Sequence, residues 1–151
     1  MPFPEDWRQF IESLNSNGVD YVVVGAVALA HHGSPRYTGD LDVLVRNSAE
    51  NSTRLISALA QFGLAGLGLK AEDFVDSYRV VQLGVPPYRI DLLTSLTGLT
   101  FDEAWADHVE TAIGGTRISF IGREALIRNK RLTGRRQDKA DLEALGVNEN
   151  P

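Results

Sequence analysis

Two aspartates one residue apart, Asp40 and Asp42, open the apolar run DLDVLV. Side chains alternate along a strand, so both carboxylates share one face while Leu41, Val43 and Val45 take the other. Like charges held side by side repel, and one must take up a proton unless a cation offsets it. A hard divalent cation such as Mg²⁺ does so through oxygen ligands. Upstream, Tyr21–Val24 is a β-branched run suited to a strand buried on both faces, and Gly25 follows it. Glycine lets the backbone turn and approach a ligand closely. The helix predicted from Ala26 to about His32 begins there, and its free N–H groups can receive phosphate. A phosphate seat facing a metal seat implies chemistry on a nucleotide.

A chain of 151 residues is most economically one domain, 1–151, with a real core. The absence of cysteine excludes a disulfide framework and thiolate chemistry. No apolar run approaches ~18 residues, and the start, MPFPEDWRQF, lacks a basic region followed by an apolar stretch. The expectation is a cytoplasmic protein with no membrane partner. A net charge of −5 argues against general nucleic-acid coating but leaves room for a local basic patch.

Taken in order, Pro4–Asn15 is predicted as a helix, with Phe3, Trp7, Phe10, Ile11 and Leu14 on one stripe and Gly18 as its stop. Trp7 is expected in the core. His31 and His32 diverge by about 100° on a helix, which disfavours chelation of one ion; one is expected to cap the helix end and one to be exposed. Asn47–Phe62 is predicted as a helix capped by Asn47 or Ser48, and Gly63–Leu69 as a linker, since its glycines follow a helix and not a strand. Tyr78–Leu83 and Tyr88–Leu93 are predicted as a hairpin of strands. Within the second, Arg89, Asp91 and Leu93 share a face. Asp91 stands in an apolar run where an unpaired carboxylate would be costly. It either completes the metal site or pairs with Arg79 or Arg89. A helical turn at Phe101–Trp105 and strands Val109–Ile113 and Thr116–Ile121 follow. The C-terminal segment, about 122–147, reads as two helices broken at Thr133-Gly134. Six of the twelve residues from Arg128 to Lys139 are basic in an otherwise acidic chain.

The ordered set Val24-Gly25-Ala26, His32-Gly33-Ser34-Pro35-Arg36-Tyr37-Thr38 and Asp40-Leu41-Asp42 resembles the signature of the DNA polymerase β-like nucleotidyltransferase superfamily. It is most similar to the small prokaryotic branch of minimal and abortive-infection toxin-like enzymes. The order Leu126-Ile127, Lys130, Gly134-Arg135, Asp138, Asp141-Leu142 is similar to the tail of that branch. The resemblance implies an α+β fold, a mixed sheet flanked by helices with C-terminal helices. It implies transfer of a nucleoside monophosphate from an NTP to a hydroxyl acceptor: a tRNA or other RNA end, a protein, or a small molecule.

By the same resemblance, Asp40, Asp42 and Asp91 are the catalytic metal ligands, for Mg²⁺ or Mn²⁺. Gly25 and Ala26 would seat phosphate, although the superfamily usually has Gly or Ser where Ala26 stands. Lys130 would touch the triphosphate. Arg36 occupies a matching position and offers a fork of donors to phosphate, or else a salt bridge that orients Asp40 or Asp42. Asp138 and Asp141 are expected to lock the last helix onto basic neighbours. A chain this short leaves little room for an acceptor domain, so the acceptor docks here, on a second copy, or on a partner protein, as in a toxin–antitoxin pair. The alternative is a nucleotidyltransferase-like protein that binds nucleotide or a partner without catalysis.

Overall fold

The computed structural model describes residues 3–33, 39–76, 78–85 and 87–147. Six strands, β1 (Tyr21–Val24), β2 (Asp40–Val45), β3 (Val80–Leu83), β4 (Arg89–Leu93), β5 (Val109–Ile113) and β6 (Thr116–Phe120), form one mixed sheet in the order β3-β4-β2-β1-β6-β5. β2 runs parallel to β4 and β1 parallel to β6, and the other neighbours are antiparallel. Six helices accompany it: α1 (Glu5–Ser16), α2 (Gly25–His31), α3 (Ala49–Gln61), α4 (Phe101–Ala106), α5 (Arg123–Thr133) and α6 (Arg136–Ala144). This is the α+β architecture expected from the sequence.

The predicted strands and helices form within one or two residues of their expected ends, because period and caps agree. The stripe on α1 buries Trp7, Phe10, Ile11 and Leu14 completely or nearly so. Ser48 caps α3 by accepting from the Asn51 N–H. Thr100 caps α4 by accepting from Glu103 N–H, while the Glu103 carboxylate accepts from Thr100 N–H. Gly18 adopts φ +66° after α1, as a left-handed cap requires. Strand β2 divides as alternation demands: Leu41, Val43 and Val45 are fully buried, and Asp40 and Asp42 only partly.

Local pattern was uninformative in two places. The glycine-rich stretch contains a 3₁₀ turn, Ala65–Leu67, and the segment after it a second, Ala71–Phe74, whose Phe74 is fully buried against α3. One aromatic anchors a segment that has no periodicity of its own. The two histidines also depart from expectation. His31 stacks on Phe120 with centroids 4.1 Å apart, and His32 Nε2 lies 2.7 Å from the Ile121 carbonyl. Both tie α2 to the end of β6, and neither is exposed.

Gly122, where β6 turns into α5, is set by space. A Cβ there would stand 2.5 Å from the backbone oxygen of Asp107. Gly66 has open space around the same position. Gly122→Ala is therefore expected to destabilise by about 1–3 kcal/mol, while Gly66→Ala changes stability by less than about 1 kcal/mol. Urea unfolding midpoints of the two variants check the contrast.

Candidate active site

The sheet register brings the carboxylates together. On parallel neighbours β2 and β4, Asp42 stands directly opposite Asp91 and Asp40 opposite Arg89. Directly opposed residues project to the same face, so one face carries Asp40, Asp42, Arg89 and Asp91. One carboxylate oxygen from each aspartate lies within 4.8 Å of the others. Among the described residues this is the one group of three acidic, histidine or cysteine side chains close enough to share a metal ion.

Gly25 closes the site from β1. The register pairs Val24 with Asp42, and Gly25 follows at φ +68°. A Cβ at Gly25 would come 2.2 Å from Asp42 Oδ2. The glycine thus serves two needs, a left-handed backbone and the close approach of a carboxylate to the turn. The first N–H groups of α2 belong to Gly25 and Ala26.

Crowding changes the protonation of Asp42. Burial, reinforced by the negative charges of Asp91 and Asp40 and a carboxyl–carboxyl hydrogen bond to Asp91, pushes its pKa from an ordinary 3.8 up to about 7. Arg89 offsets part of the charge. Its Nη2 lies 3.2 Å from Asp40 Oδ2 and 3.1 Å from Asp91 Oδ2. Its Nε sits 3.0 Å from Asp91 Oδ1, out of line for a hydrogen bond, so both of those buried atoms lack one. The ion pair considered for Asp91 therefore exists, with Arg89 as the partner, while Arg79 pairs with Asp73 at 3.6 Å. The two readings of Asp91 are compatible, because a buried oxygen without a hydrogen bond, among three converging carboxylates, suits a hard divalent cation.

From Asp42 and Gly25 a cleft of about 520 Å³ runs beneath α5. Leu93, Ser95, Leu96 and Thr97 supply one wall, and Asn129, Lys130, Leu132 and Thr133 the other. Asn129 Nδ2 donates to the Thr97 carbonyl at 3.0 Å and fastens the two walls. A cavity of this size is within the range of small-molecule and cofactor sites. Asp40 and Asp91 lie off this lining, so Asp42 stands between the cleft and Asp91.

Lys130 lines the cleft, but its ammonium is held by Asp141 Oδ2 at 2.9 Å and Asp138 Oδ1 at 3.4 Å, all three side chains being almost fully buried. Asp138 also accepts from Thr133, from the Arg135 backbone N–H and from the Arg135 guanidinium. Burial alone would raise its pKa, yet these bonds and the Lys130 charge hold it well below the usual carboxylate range. Asp138 and Asp141 lock α6 onto α5, as expected. Arg36 falls outside the described residues. Ser95, Thr97 and Asn129 were not singled out from the sequence, since nothing in their spacing marks them; the path of the loop after β4 brings them together.

A carboxyl whose folded pKa is raised stabilises the fold below its ordinary value and loses that contribution as pH rises through the folded one. Without metal, the protein is thus expected to lose stability as pH climbs from near 3.8 through about 7. Asp42→Asn removes the buried charge, and its melting temperature at about pH 8 should exceed the parent's by several degrees. The gap should close in acid. Thermal melts of both proteins across pH, in chelator, measure this.

Residues 4–149 match the family described as nucleotidyl transferase of unknown function (DUF2204). A search of curated protein sequences finds no match. Among solved structures, the chain is similar to a candidate nucleotidyltransferase (TM1012) of Thermotoga maritima, at 14% identity and a TM-score of 0.63, over 95% of this chain and 93% of that one. It is similar to an antigenic nucleotidyltransferase-like protein of Paracoccidioides brasiliensis, at 17% identity and a TM-score of 0.57, over 96% of this chain and 76% of that one. It is also similar to the lincosamide antibiotic adenylyltransferase LnuA in its lincomycin-bound form, at 13% identity and a TM-score of 0.54, over 96% and 97% of the two chains. At such identities these likenesses establish the fold, a nucleotidyltransferase-like sheet with flanking helices. By a match that spans nearly its whole length, the chain belongs to the DUF2204 family of nucleotidyl transferases.

Proposed function

We propose that the chain moves a nucleoside monophosphate from an NTP to a hydroxyl acceptor, using Mg²⁺ or Mn²⁺. The observation that supports this best is the convergence of Asp40, Asp42 and Asp91 within 4.8 Å, beside a nucleotide-sized cleft that ends at Gly25. Asp40 and Asp42 would hold one ion, and the three aspartates together a second. When bound, such ions offset charge on the attacking and leaving oxygens of an in-line displacement.

The chain's own residues do the rest. Backbone N–H groups of Gly25 and Ala26 bind phosphate oxygens and orient the α-phosphorus toward Asp91. Asp91 accepts the proton of the acceptor hydroxyl at a carboxylate oxygen. The acceptor oxygen bonds to the α-phosphorus as its bond to pyrophosphate breaks, and pyrophosphate leaves along the cleft. Arg89 holds Asp40 and Asp91 in register and offsets their charge. Lys130 stands in the cleft wall, where its ammonium would meet the triphosphate on release from Asp138 and Asp141, and Arg36 would add a phosphate contact. The acceptor is an RNA end, a protein hydroxyl or a small molecule; the antibiotic substrate class named for LnuA makes the last of these concrete. A toxin–antitoxin pairing would provide the acceptor or a regulator in the same cytoplasm.

Two observations favour a second reading, nucleotide or partner binding without transfer. The Lys130 ammonium is already engaged by two carboxylates, and Ala26 offers no hydroxyl to phosphate.

Thermal unfolding with each of the four NTPs, with and without Mg²⁺ or Mn²⁺, tests the proposal. A ligand at 100 times its dissociation constant stabilises by roughly 2.7 kcal/mol, a shift of several degrees. The expected result is a metal-dependent shift with at least one NTP. Asp42→Asn should remove the shift and abolish transfer of label from the α-phosphate, with the fold retained. A shift without any transfer to RNA, protein or small-molecule acceptors would support the binding-only reading, and no shift at all would sink both.

A further inference from the structure

Among the described residues, the three most exposed large apolar side chains lie at one edge of the sheet. Tyr78 is 89% exposed, Val85 74% and Val80 56%, and all three belong to β3 or lie within two residues of it. β3 is an edge strand, paired only with β4, so the outward N–H and C=O groups of Val80–Leu83 have no strand beside them. Free edges usually carry lysine, proline or a bulge that discourages pairing with another chain. Strand β3, VVQL, carries no charge, and its neighbour Arg79 is turned toward Asp73. The opposite edge, β5, differs: Glu110 lies within it, close to Arg117 and His108.

We infer that β3 pairs with β3 of a second copy of this chain, antiparallel about a two-fold axis, joining two sheets into one. Two features favour a second copy over an unrelated partner. The strand is self-complementary: centred on Val81, the pairing sets Val80 against Gln82 and Arg79 against Leu83, so no charge meets its like. The area also fits. Tyr78, Val80 and Val85 at these exposures offer on the order of 400 Å² per copy. Two copies therefore reach the ~1,000 Å² that a specific interface needs once the strand backbone is counted.

The pairing bears on the site. Gln82 stands directly opposite Asp91 and shares its face. The partner's strand would lie one spacing, about 4.8 Å, beyond Gln82 and extend the carboxylate face on the side away from the cleft. A second copy would so supply part of the acceptor's floor, which deepens the transfer reading and rests on it; the dimer itself does not.

Sedimentation equilibrium from about 5 to 200 µM, the range of a modest interface, should give a mass rising to twice 16.6 kDa. Val80→Lys, which sets a charge on the edge, should keep the circular dichroism and melting temperature of the parent and remain monomeric. Tyr78→Ser should weaken association at least tenfold. A parent that stays monomeric throughout would overturn the inference, as would a dimer unaffected by Val80→Lys. NTP- and metal-dependent thermal shifts on the monomeric variant separate the two readings. Retained shifts leave the nucleotide site standing whatever the dimer result, and their absence in parent and variant alike overturns the nucleotide reading alone.

Discussion

Three carboxylates within 4.8 Å cannot all keep their charge unless something positive stands among them. Much of the architecture answers that constraint. Parallel pairing of β2 with β4 creates the crowding by setting Asp42 against Asp91. Arg89, two residues before Asp91 on the same face, relieves part of it and reaches Asp40 as well. The remainder falls on Asp42, whose affinity for a proton rises by burial and by its neighbours. The arrangement stores unfavourable charge at the position where a divalent cation would release it. The buried core on the other face, Leu41, Val43 and Val45 with the helices behind them, keeps the strands from sliding to escape the repulsion.

The carboxylates' arrangement was legible because it rests on short-range rules. Alternation put Asp40 and Asp42 together, the polar residue inside YRIDLL marked Asp91, and Gly25 marked the turn. The sequence could not say that β2 and β4 would be neighbours in parallel, since strand pairing between distant segments leaves no local trace; the resemblance implied only that the three aspartates meet. Arg89 was visible only as one of two possible partners for Asp91, and the register chose between them. The cleft walls were opaque for the same reason. Ser95, Thr97 and Asn129 carry no pattern, and they meet because a loop and a helix converge. The histidine pair shows the reverse failure, a conspicuous local motif with a plain packing role.

The site is divided in a way the topology makes natural. Across the sheet the order runs from Gly25 at the end of β1, to Asp42 on β2, to Asp91 on β4, to Gln82 on β3. Helix α5 covers the first part of that path, where the cleft lies, and α6 packs behind it. The far end is the uncharged strand β3.

The knot of Lys130, Asp138, Asp141 and Arg135 couples that roof to its own charge. Two cations and two anions cancel, so the joint between α5 and α6 is electrically neutral. Were α6 to be cut away or peeled off, Lys130 would lose both counter-charges and be left bare beside Asp42. Docking of α6 therefore does two things through a single ammonium group: it cancels that charge within the cleft wall and fastens the last helix to the one before it.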